Sequence, residues 1–212
     1  ADRAKNLDTA LRLIDEAATI PLIEQVTLTG LGEPLLDRHL DARIRYIRSA
    51  MPRGVLVDLY TNGSLLTPAR VDALIEAGLE TLYCSLNGVR PAQRQATMRL
   101  PREDFKAVTE ALDYARSKQS ATFRVVVKAV VSKDLFEDED ADLFLARWGG
   151  RHEAGGSAFL HLEGNWAGST YPMRIAPTKP CSRALGQVMV LSDGRVSLCC
   201  FDGDGQVILG DL

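Results

Sequence analysis

Short apolar runs alternate with helix-like segments along most of the chain. Each apolar run is bounded by glycine and polar residues, as buried strands are. Between the runs, apolar side chains recur every three or four positions, which is typical of one face of a helix. This pattern predicts strands over 25–30, 54–63, 79–88, 122–132 and 157–164, and helices over 7–20, 41–51, 67–78, 91–98, 104–119 and 138–149.

Strands that alternate with helices indicate an α/β fold with a parallel sheet, because each helix carries the chain back to start the next strand. The pattern changes after Gly164. The segment 186–200 alternates around Asp193-Gly194 and predicts a β-hairpin. No closing element is evident in the final VILGDL. The pattern therefore predicts a main domain over 1–169 and a second, small module over 170–212.

Three successive predicted strands end in similar turns, LTGLGEP, LYTNGS and CSLNGV. In parallel α/β folds, ligands bind at the carboxyl ends of the strands, so these turns are expected to converge on one site. Glycine allows a backbone to approach a ligand closely. In the first turn, Gly30, Gly32 and Pro34 are expected to hold the carboxylate of Glu33 in a fixed place. The alternative is that glycine serves only the strand-to-helix turns.

Composition narrows the classes of function. The chain has 212 residues, of which 46% are hydrophobic, and a net charge of −3, which suits one sizeable domain with at most a small appendage. Without a long basic run there is no electrostatic case for nucleic-acid binding. There is no apolar run of membrane-spanning length and no secretory signal. The default location is the cytoplasm, where cysteines are more often ligands or core residues than disulfides.

The four cysteines fall into two groups. Cys84 lies within a predicted strand and is expected to be a core residue. Cys181 precedes the predicted hairpin, whereas Cys199 and Cys200 end it, so the hairpin brings the three thiols together. Spacing alone leaves two possibilities, a shared metal or buried hairpin cysteines. Two or three thiolates do not complete a four-cysteine iron–sulfur site, so a shared cluster would need ligands from elsewhere.

The order of the Gly-Glu-Pro, TNG and SLNG turns, followed by a Cys-(12 residues)-Gly-(4 residues)-Cys hairpin, resembles a radical S-adenosylmethionine enzyme with a SPASM or twitch extension. The resemblance covers nearly the whole chain. It implies a partial parallel (β/α)6 barrel of the TIM type, followed by a hairpin module for an auxiliary [4Fe–4S] cluster. It implies auxiliary-cluster ligands at Cys181 and Cys199, with Cys200 beside them.

The resemblance also implies how S-adenosylmethionine lies across the strand ends. Glu33, with the backbone near Gly32, would hold the methionine amino group, since a carboxylate is the natural partner of an ammonium. The remaining implied cofactor contacts are Thr61 and Asn62 for the methionine and ribose side, Ser85 and Asn87 for the ribose hydroxyls, Lys128 or Arg99 for the methionine carboxylate, and Val130 for the adenine. A surface role is the alternative for Arg99 and Lys128.

Such enzymes hold their catalytic [4Fe–4S] cluster in a Cys-x3-Cys-x2-Cys loop, and no such spacing occurs here. The resemblance therefore implies that the first strand and the cluster loop precede residue 1. The implied reaction forms a 5′-deoxyadenosyl radical, which abstracts hydrogen from a peptide or small-molecule substrate. Glu163 and Asn165 are expected to face that substrate. A flavodoxin or ferredoxin is the expected electron donor.

Two other classes of function are compatible with the sequence. One is an aldolase-like barrel enzyme without iron, for which Lys128 would be a Schiff-base candidate. It leaves the hairpin cysteines unexplained. The other is a non-enzymatic barrel that binds a peptide or a nucleotide-like ligand after losing its cluster.

Overall fold

The fold is built on a parallel sheet whose strands are ordered as they occur in the chain. A computed structural model describes the protein over residues 3–30, 32–131, 135, 137–149, 151–152, 155–156, 158–162 and 185–211. The strands of its first part are β1 (Gln25–Leu28), β2 (Leu56–Thr61), β3 (Thr81–Ser85), β4 (Arg124–Val131), β5 (Arg151–His152), β6 (Gly155–Gly156) and β7 (Ala158–Leu162). The parallel sheet has the order β1-β2-β3-β4-β7, whereas β5 and β6 form a separate antiparallel pair.

Helices connect the strands in the predicted alternation. They are α1 (Arg3–Ala18), α2 (Leu40–Ala50), α3 (Pro68–Ala77), α4 (Pro91–Met98), α5 (Asp104–Ser117) and α6 (Asp138–Trp148). The ends of α3 are as the sequence predicts. The Thr67 hydroxyl caps the helix by accepting from the Arg70 N–H at 3.2 Å, and Gly78 ends it at a left-handed φ of 100°. The α/β fold with a parallel sheet is confirmed, while closure towards a barrel stays a prediction.

The core lies on one face of the sheet. Along β2, Val57 and Leu59 are completely buried within the hydrophobic cluster that also contains residues of α2, α3, α5 and α6. Since side chains alternate along a strand, Asp58 and Tyr60 belong to the opposite face. The same alternation holds in β3 and β4. The sheet therefore has an apolar face against the helices and a second face on which polar and aromatic residues stand beside a few aliphatic ones, such as Val126.

The last described segment forms a small antiparallel sheet of three strands. β8 (Met189–Val190) pairs with β9 (Arg195–Ser197) across the predicted Asp193-Gly194 turn. The sequence pattern predicts no strand after residue 200, whereas β10 (Ile208–Asp211) pairs with β9 on its other side. The division of the chain at residues 169 and 170 stays a prediction.

Three further elements were absent from the sequence prediction, namely β5, β6 and a 3-10 turn at Pro34–Leu36. Each of them is only two or three residues long, which is too short to produce a periodic pattern. Among the residues that the structure describes, no helix is both long and apolar enough to cross a membrane.

Candidate functional site

The carboxylate of Glu33 joins the turn after β1 to the end of β2. Its Oε1 accepts from the Thr61 hydroxyl at 2.6 Å and from the Leu35 N–H at 3.0 Å. Its Oε2 accepts from the Asn62 N–H at 2.7 Å. A carboxylate offers about four acceptor positions. Contacts from the residues that the structure describes use three of these positions, which leaves one position on Oε2 for a further donor.

The local sequence explains why Glu33 is so well placed. Glu33 is the N-cap of the Pro34–Leu36 turn, and Pro34 occupies the first position, where a missing N–H costs nothing. Gly30 and Gly32 are exposed, and a Cβ on either would have no heavy atom within 4 Å. Packing against the described residues therefore does not require glycine at these two positions.

The turn after β2 is held by its own side chains. The Thr61 hydroxyl accepts from the Gly63 N–H at 2.9 Å, and Asn62 Oδ1 accepts from the Ser64 N–H at 2.8 Å. Gly63 has a φ of 81°, and a Cβ there would lie 2.8 Å from the sulfur of Cys84. Glycine at position 63 is therefore required by the turn and by the core beneath it.

The turn after β3 is anchored on β4. The N–H groups of Leu86 and Asn87 donate to the Lys128 carbonyl at 2.9 and 3.3 Å. Asn87 has a left-handed φ of 52°, and its Oδ1 accepts from the Val130 N–H at 2.9 Å. The Asn87 oxygen thus serves the fold, and its amide NH2 is the part that suits a ligand. Ser85 ends β3 and is half-buried.

These residues form what we call the strand-end cluster, defined as Glu33, Thr61, Asn62, Ser85 and Asn87. It gathers residues from all three turns that the sequence singled out, at the carboxyl ends of β1, β2 and β3. The predicted convergence of the turns on one edge of the sheet agrees with this geometry. Their roles toward a ligand stay predictions.

Two of the predicted cofactor contacts, Lys128 and Arg99, are basic residues. Lys128 pairs with Ser85 in the sheet, and its Nζ lies 4.8 Å from the ring centre of Tyr60 and 5.6 Å from that of Tyr83. These tyrosine rings stack at 4.4 Å. Arg99 is exposed at the end of α4. In the described part of the chain, the hydrogen bonds of Glu33 include neither base.

Arg94 is a residue of this site that the sequence analysis missed. It lies in α4 with no exposed surface. Its guanidinium donates to the Asn62 carbonyl at 2.8 Å and to the Ser85 carbonyl at 3.3 Å, and it pairs with Asp104 at 3.2 Å. Arg94 lies between two glutamines, and a charged residue is rarely fully buried in a protein, so the sequence pattern does not mark this arginine as buried.

Burial shifts two pKa values near the site. Burial raises the pKa of the Cys84 thiol to about 12, with opposing smaller effects from the charges of Arg94 and Glu33. Burial also raises the pKa of Asp58, on the polar face of the sheet, and hydrogen bonds from Thr81 and Gln25 partly offset it. Cys84 is a core residue, as predicted, and its neutral thiol is a poor metal ligand.

The predicted metal and catalytic residues are only partly within the described chain. Cys199 and Cys200 are half-buried thiols beyond β9, and Cys200 accepts a weak hydrogen bond from the Gln187 side chain at 3.7 Å. Cys181, Glu163 and Asn165 lie outside the described residues. Within the described ranges, no group of three or more His, Cys, Asp or Glu side chains is arranged to hold a metal.

Comparison with known proteins identifies relatives of the chain. Residues 1–143 match the family model described as the radical SAM superfamily. The chain is 35% identical over 146 residues to the GTP 3′,8-cyclase of Streptomyces coelicolor, covering 69% of this chain and 40% of that protein. It is 40% identical over 91 residues to the PqqA peptide cyclase of Ruegeria pomeroyi, covering 42% of this chain and 23% of that protein.

A third relative is a cofactor-modifying protein for tungsten-containing aldehyde ferredoxin oxidoreductase from Pyrococcus furiosus, 30% identical over 92 residues, covering 43% of this chain and 25% of that protein. The matched regions thus span between 23% and 40% of these curated relatives.

The fold agrees with a solved structure, BtrN in complex with AdoMet and 2-DOIA. The TM-score is 0.55 at 17% identity, over 99% of this chain and 65% of the BtrN chain. At that identity the likeness concerns the fold alone. The family match covers well over half of the chain, and the alternation of strands and helices agrees with it. The chain therefore belongs to the radical SAM superfamily.

Proposed function

We propose that the strand-end cluster binds S-adenosylmethionine in an enzyme whose radical chemistry acts on a peptide or a small molecule. The observation that carries this proposal is the Glu33 carboxylate. It is fixed by the Thr61 hydroxyl and the Asn62 N–H, and the contacts made by the described residues leave one acceptor position on Oε2. A fixed carboxylate beside exposed glycines fits the ammonium of an amino acid, because such a hydrogen bond is charge-assisted.

The other residues suit the remaining parts of the same ligand. Thr61 and Asn62 would line the methionine and ribose side. The Ser85 hydroxyl and the Asn87 amide NH2 would reach the ribose hydroxyls, and Val130 would flank the adenine. For the methionine carboxylate, Lys128 or Arg99 would supply the positive charge. Each of these residues binds or orients the ligand, and none is required to move a proton.

When bound to a reduced [4Fe–4S] cluster, S-adenosylmethionine supplies a 5′-deoxyadenosyl radical that abstracts hydrogen from the substrate. The 212 residues contain no Cys-x3-Cys-x2-Cys spacing, so the proposed activity needs cysteines that this sequence does not contain. Cys84 does not fit that role, because it is buried and its pKa is raised. The role of this chain is to orient the cofactor and exclude water.

The proposal extends to the rest of the protein. Residues 1–169 would form a partial barrel, and 170–212 would begin a SPASM or twitch module in which Cys181, Cys199 and Cys200 bind an auxiliary [4Fe–4S] cluster. Glu163 and Asn165 would face the substrate, and a flavodoxin or ferredoxin would donate the electron. The names of two relatives, a GTP cyclase and a peptide cyclase, support both classes of substrate, small molecule and peptide.

The test uses the protein expressed from its complete coding region, with iron and sulfide reconstituted without oxygen. We expect Glu33→Gln to weaken S-adenosylmethionine binding about tenfold or more, which is the scale of a hydrogen bond to a charged group. Calorimetric titration measures the affinity, and chromatography of 5′-deoxyadenosine after dithionite reduction measures cleavage.

Asp37→Asn is the matched control. Asp37 lies on the same loop, accepts from the His39 N–H at 2.9 Å and pairs with Arg43 at 2.7 Å, so it is an equally engaged carboxylate outside the cluster. We expect this control to bind S-adenosylmethionine like the unmodified protein. Equal affinities for Glu33→Gln and the unmodified protein would refute the assignment of Glu33.

A further inference from the structure

Arg94 joins two of the three strand-end turns through their backbone carbonyls. Its Nη2 donates to the Asn62 carbonyl at 2.8 Å, and its Nη1 lies 3.3 and 3.4 Å from the carbonyls of Ser85 and Leu86. The first carbonyl belongs to the turn after β2, and the other two belong to the turn after β3. One rigid, planar guanidinium therefore sets the spacing between the two turns.

The buried charge of Arg94 is compensated within the same group of residues. Asp104, in the first turn of α5, accepts from Nε at 3.2 Å and from Nη2 at 3.4 Å. The Ser64 hydroxyl donates to Asp104 at 2.6 Å and accepts from Nη2 at 3.1 Å. A buried ion pair contributes little net stability compared with apolar packing. What this pair does provide is fixed geometry at the ends of two strands.

Arg94 also acts on Glu33 through the backbone of Asn62. The Asn62 N–H donates to Glu33 and the Asn62 carbonyl accepts from Arg94, at 2.7 and 2.8 Å. Asn62 is thus held between a carboxylate and a guanidinium. If the guanidinium is lost, the Asn62 N–H can move away from Glu33. The Glu33 carboxylate is then no longer held in one orientation, and its remaining acceptor position no longer points at a fixed place.

The amino-terminal ends of the same two strands carry a matching arrangement. Arg48 donates to the carbonyls of Val55 and Gly78, both at 2.8 Å, and pairs with Glu80. Val55 precedes β2, and Gly78 and Glu80 precede β3. Arg48 therefore bridges β2 and β3 as Arg94 does, but at the edge of the sheet opposite the strand-end cluster. It provides a control for the purely structural cost of breaking such a bridge.

We propose that Arg94 is a positioning residue for the strand-end cluster, holding the Asn62 and Ser85 turns at the spacing that ligand binding requires. This inference rests on the proposed function for its ligand. Arg94→Lys keeps the positive charge but replaces the planar guanidinium and its several N–H donors with a single ammonium group. We expect affinity for S-adenosylmethionine to fall about tenfold, the scale of one charge-assisted hydrogen bond. Arg48→Lys is expected to lower stability in urea, by less than Arg94→Lys because Arg48 is partly exposed, and to leave the affinity for S-adenosylmethionine unchanged.

Amide hydrogen exchange provides a readout that needs no ligand. We expect Arg94→Lys to accelerate exchange at Asn62 and Leu86 about tenfold or more, and Arg48→Lys to leave both amides unchanged. In a double-mutant cycle, the losses of affinity for S-adenosylmethionine in Arg94→Lys and Glu33→Gln should not add, because Arg94 acts through Asn62 on Glu33. If Arg94→Lys does not fold, Ser64→Ala serves as the milder change, because it removes the hydroxyl between Nη2 and Asp104 and keeps the ion pair.

Normal affinity together with normal exchange at both turns would overturn the inference, as would equal losses of affinity in Arg94→Lys and Arg48→Lys. If the unmodified protein does not bind S-adenosylmethionine, the proposed function fails. Hydrogen exchange then decides the positioning role alone. Faster exchange at both turns supports it, and exchange changes confined to α4 and α5 contradict it.

Discussion

Gly63 lies at the point where the turn after β2 meets the core, which makes Gly63→Ala a sharp test of how tightly the site is built. Its φ of 81° lies in the left-handed region. A Cβ on Gly63 would lie 2.8 Å from the Cys84 sulfur and 2.9 Å from a methyl carbon of Val108. Both neighbours are completely or almost completely buried, so neither can move aside freely.

Two costs are expected to add in Gly63→Ala. The left-handed backbone costs a non-glycine residue about 1–2 kcal/mol, and overpacking of a well-packed core costs about 1–3 kcal/mol. Gly54 separates these costs, because its φ is 99° and a Cβ there would meet nothing within 4 Å. Gly54→Ala should therefore show the backbone cost alone, and the difference between the two variants should be about 1–3 kcal/mol.

Urea unfolding followed by circular dichroism measures both free energies of unfolding. Titration with S-adenosylmethionine then shows whether the Thr61 hydroxyl and the Asn62 N–H, which hold Glu33, are displaced. We expect weaker binding in Gly63→Ala only. Equal destabilisation of the two variants would refute the packing of Gly63 against Cys84, and unchanged binding in Gly63→Ala would refute its connection to the site.

Two further predictions follow from the shifted pKa values. Burial raises the pKa of Asp58, so the folded protein retains a proton that the unfolded chain releases. The free energy of unfolding should therefore fall as the pH rises from the ordinary aspartate pKa through the raised one. Urea unfolding across that pH range should show a smaller fall in the free energy of unfolding for Asp58→Asn than for the unmodified protein. Identical dependence on pH in the two proteins would contradict the raised pKa of Asp58. The Cys84 thiol, with a pKa of about 12, should be ionised in only about one molecule in 10⁴ at pH 8. Iodoacetamide followed by peptide mass mapping should label Cys199 and Cys200 in the native iron-free protein but Cys84 only in urea, and native labelling of Cys84 would contradict its burial.

The two arginine bridges suggest a division of roles between the edges of the sheet. Arg48 and Arg94 each join β2 to β3 through backbone carbonyls and a carboxylate. At the amino-terminal edge such a bridge serves stability alone. At the carboxyl edge the same chemistry also sets the spacing of two turns that carry candidate ligand contacts. Comparing the two variants separates stability from positioning within one protein.

Much of the fold could be predicted from local patterns. The order of strands and helices follows from the spacing of apolar residues, and the ends of α3 follow from Thr67 and Gly78, since capping depends on neighbouring residues. The convergence of the three turns could also be predicted, because parallel strands place their carboxyl ends at one edge. The strand β10 could not, since it is formed only by its pairing with β9.

The sequence by itself determined the alternating α/β architecture and the three glycine-containing turns, and it singled out the carboxylate of Glu33 as the centre of the candidate site. Tertiary structure alone decided how that carboxylate is held, since Thr61 and Asn62 lie 28 and 29 residues away. It alone decided that Arg94 is buried, because the local sequence of α4 gives no sign of a charge whose partners lie in the turn after β2, at the end of β3 and in α5. The physical reason is that periodicity and capping record interactions within a few residues, whereas a buried charge is compensated by groups brought together only when the chain folds.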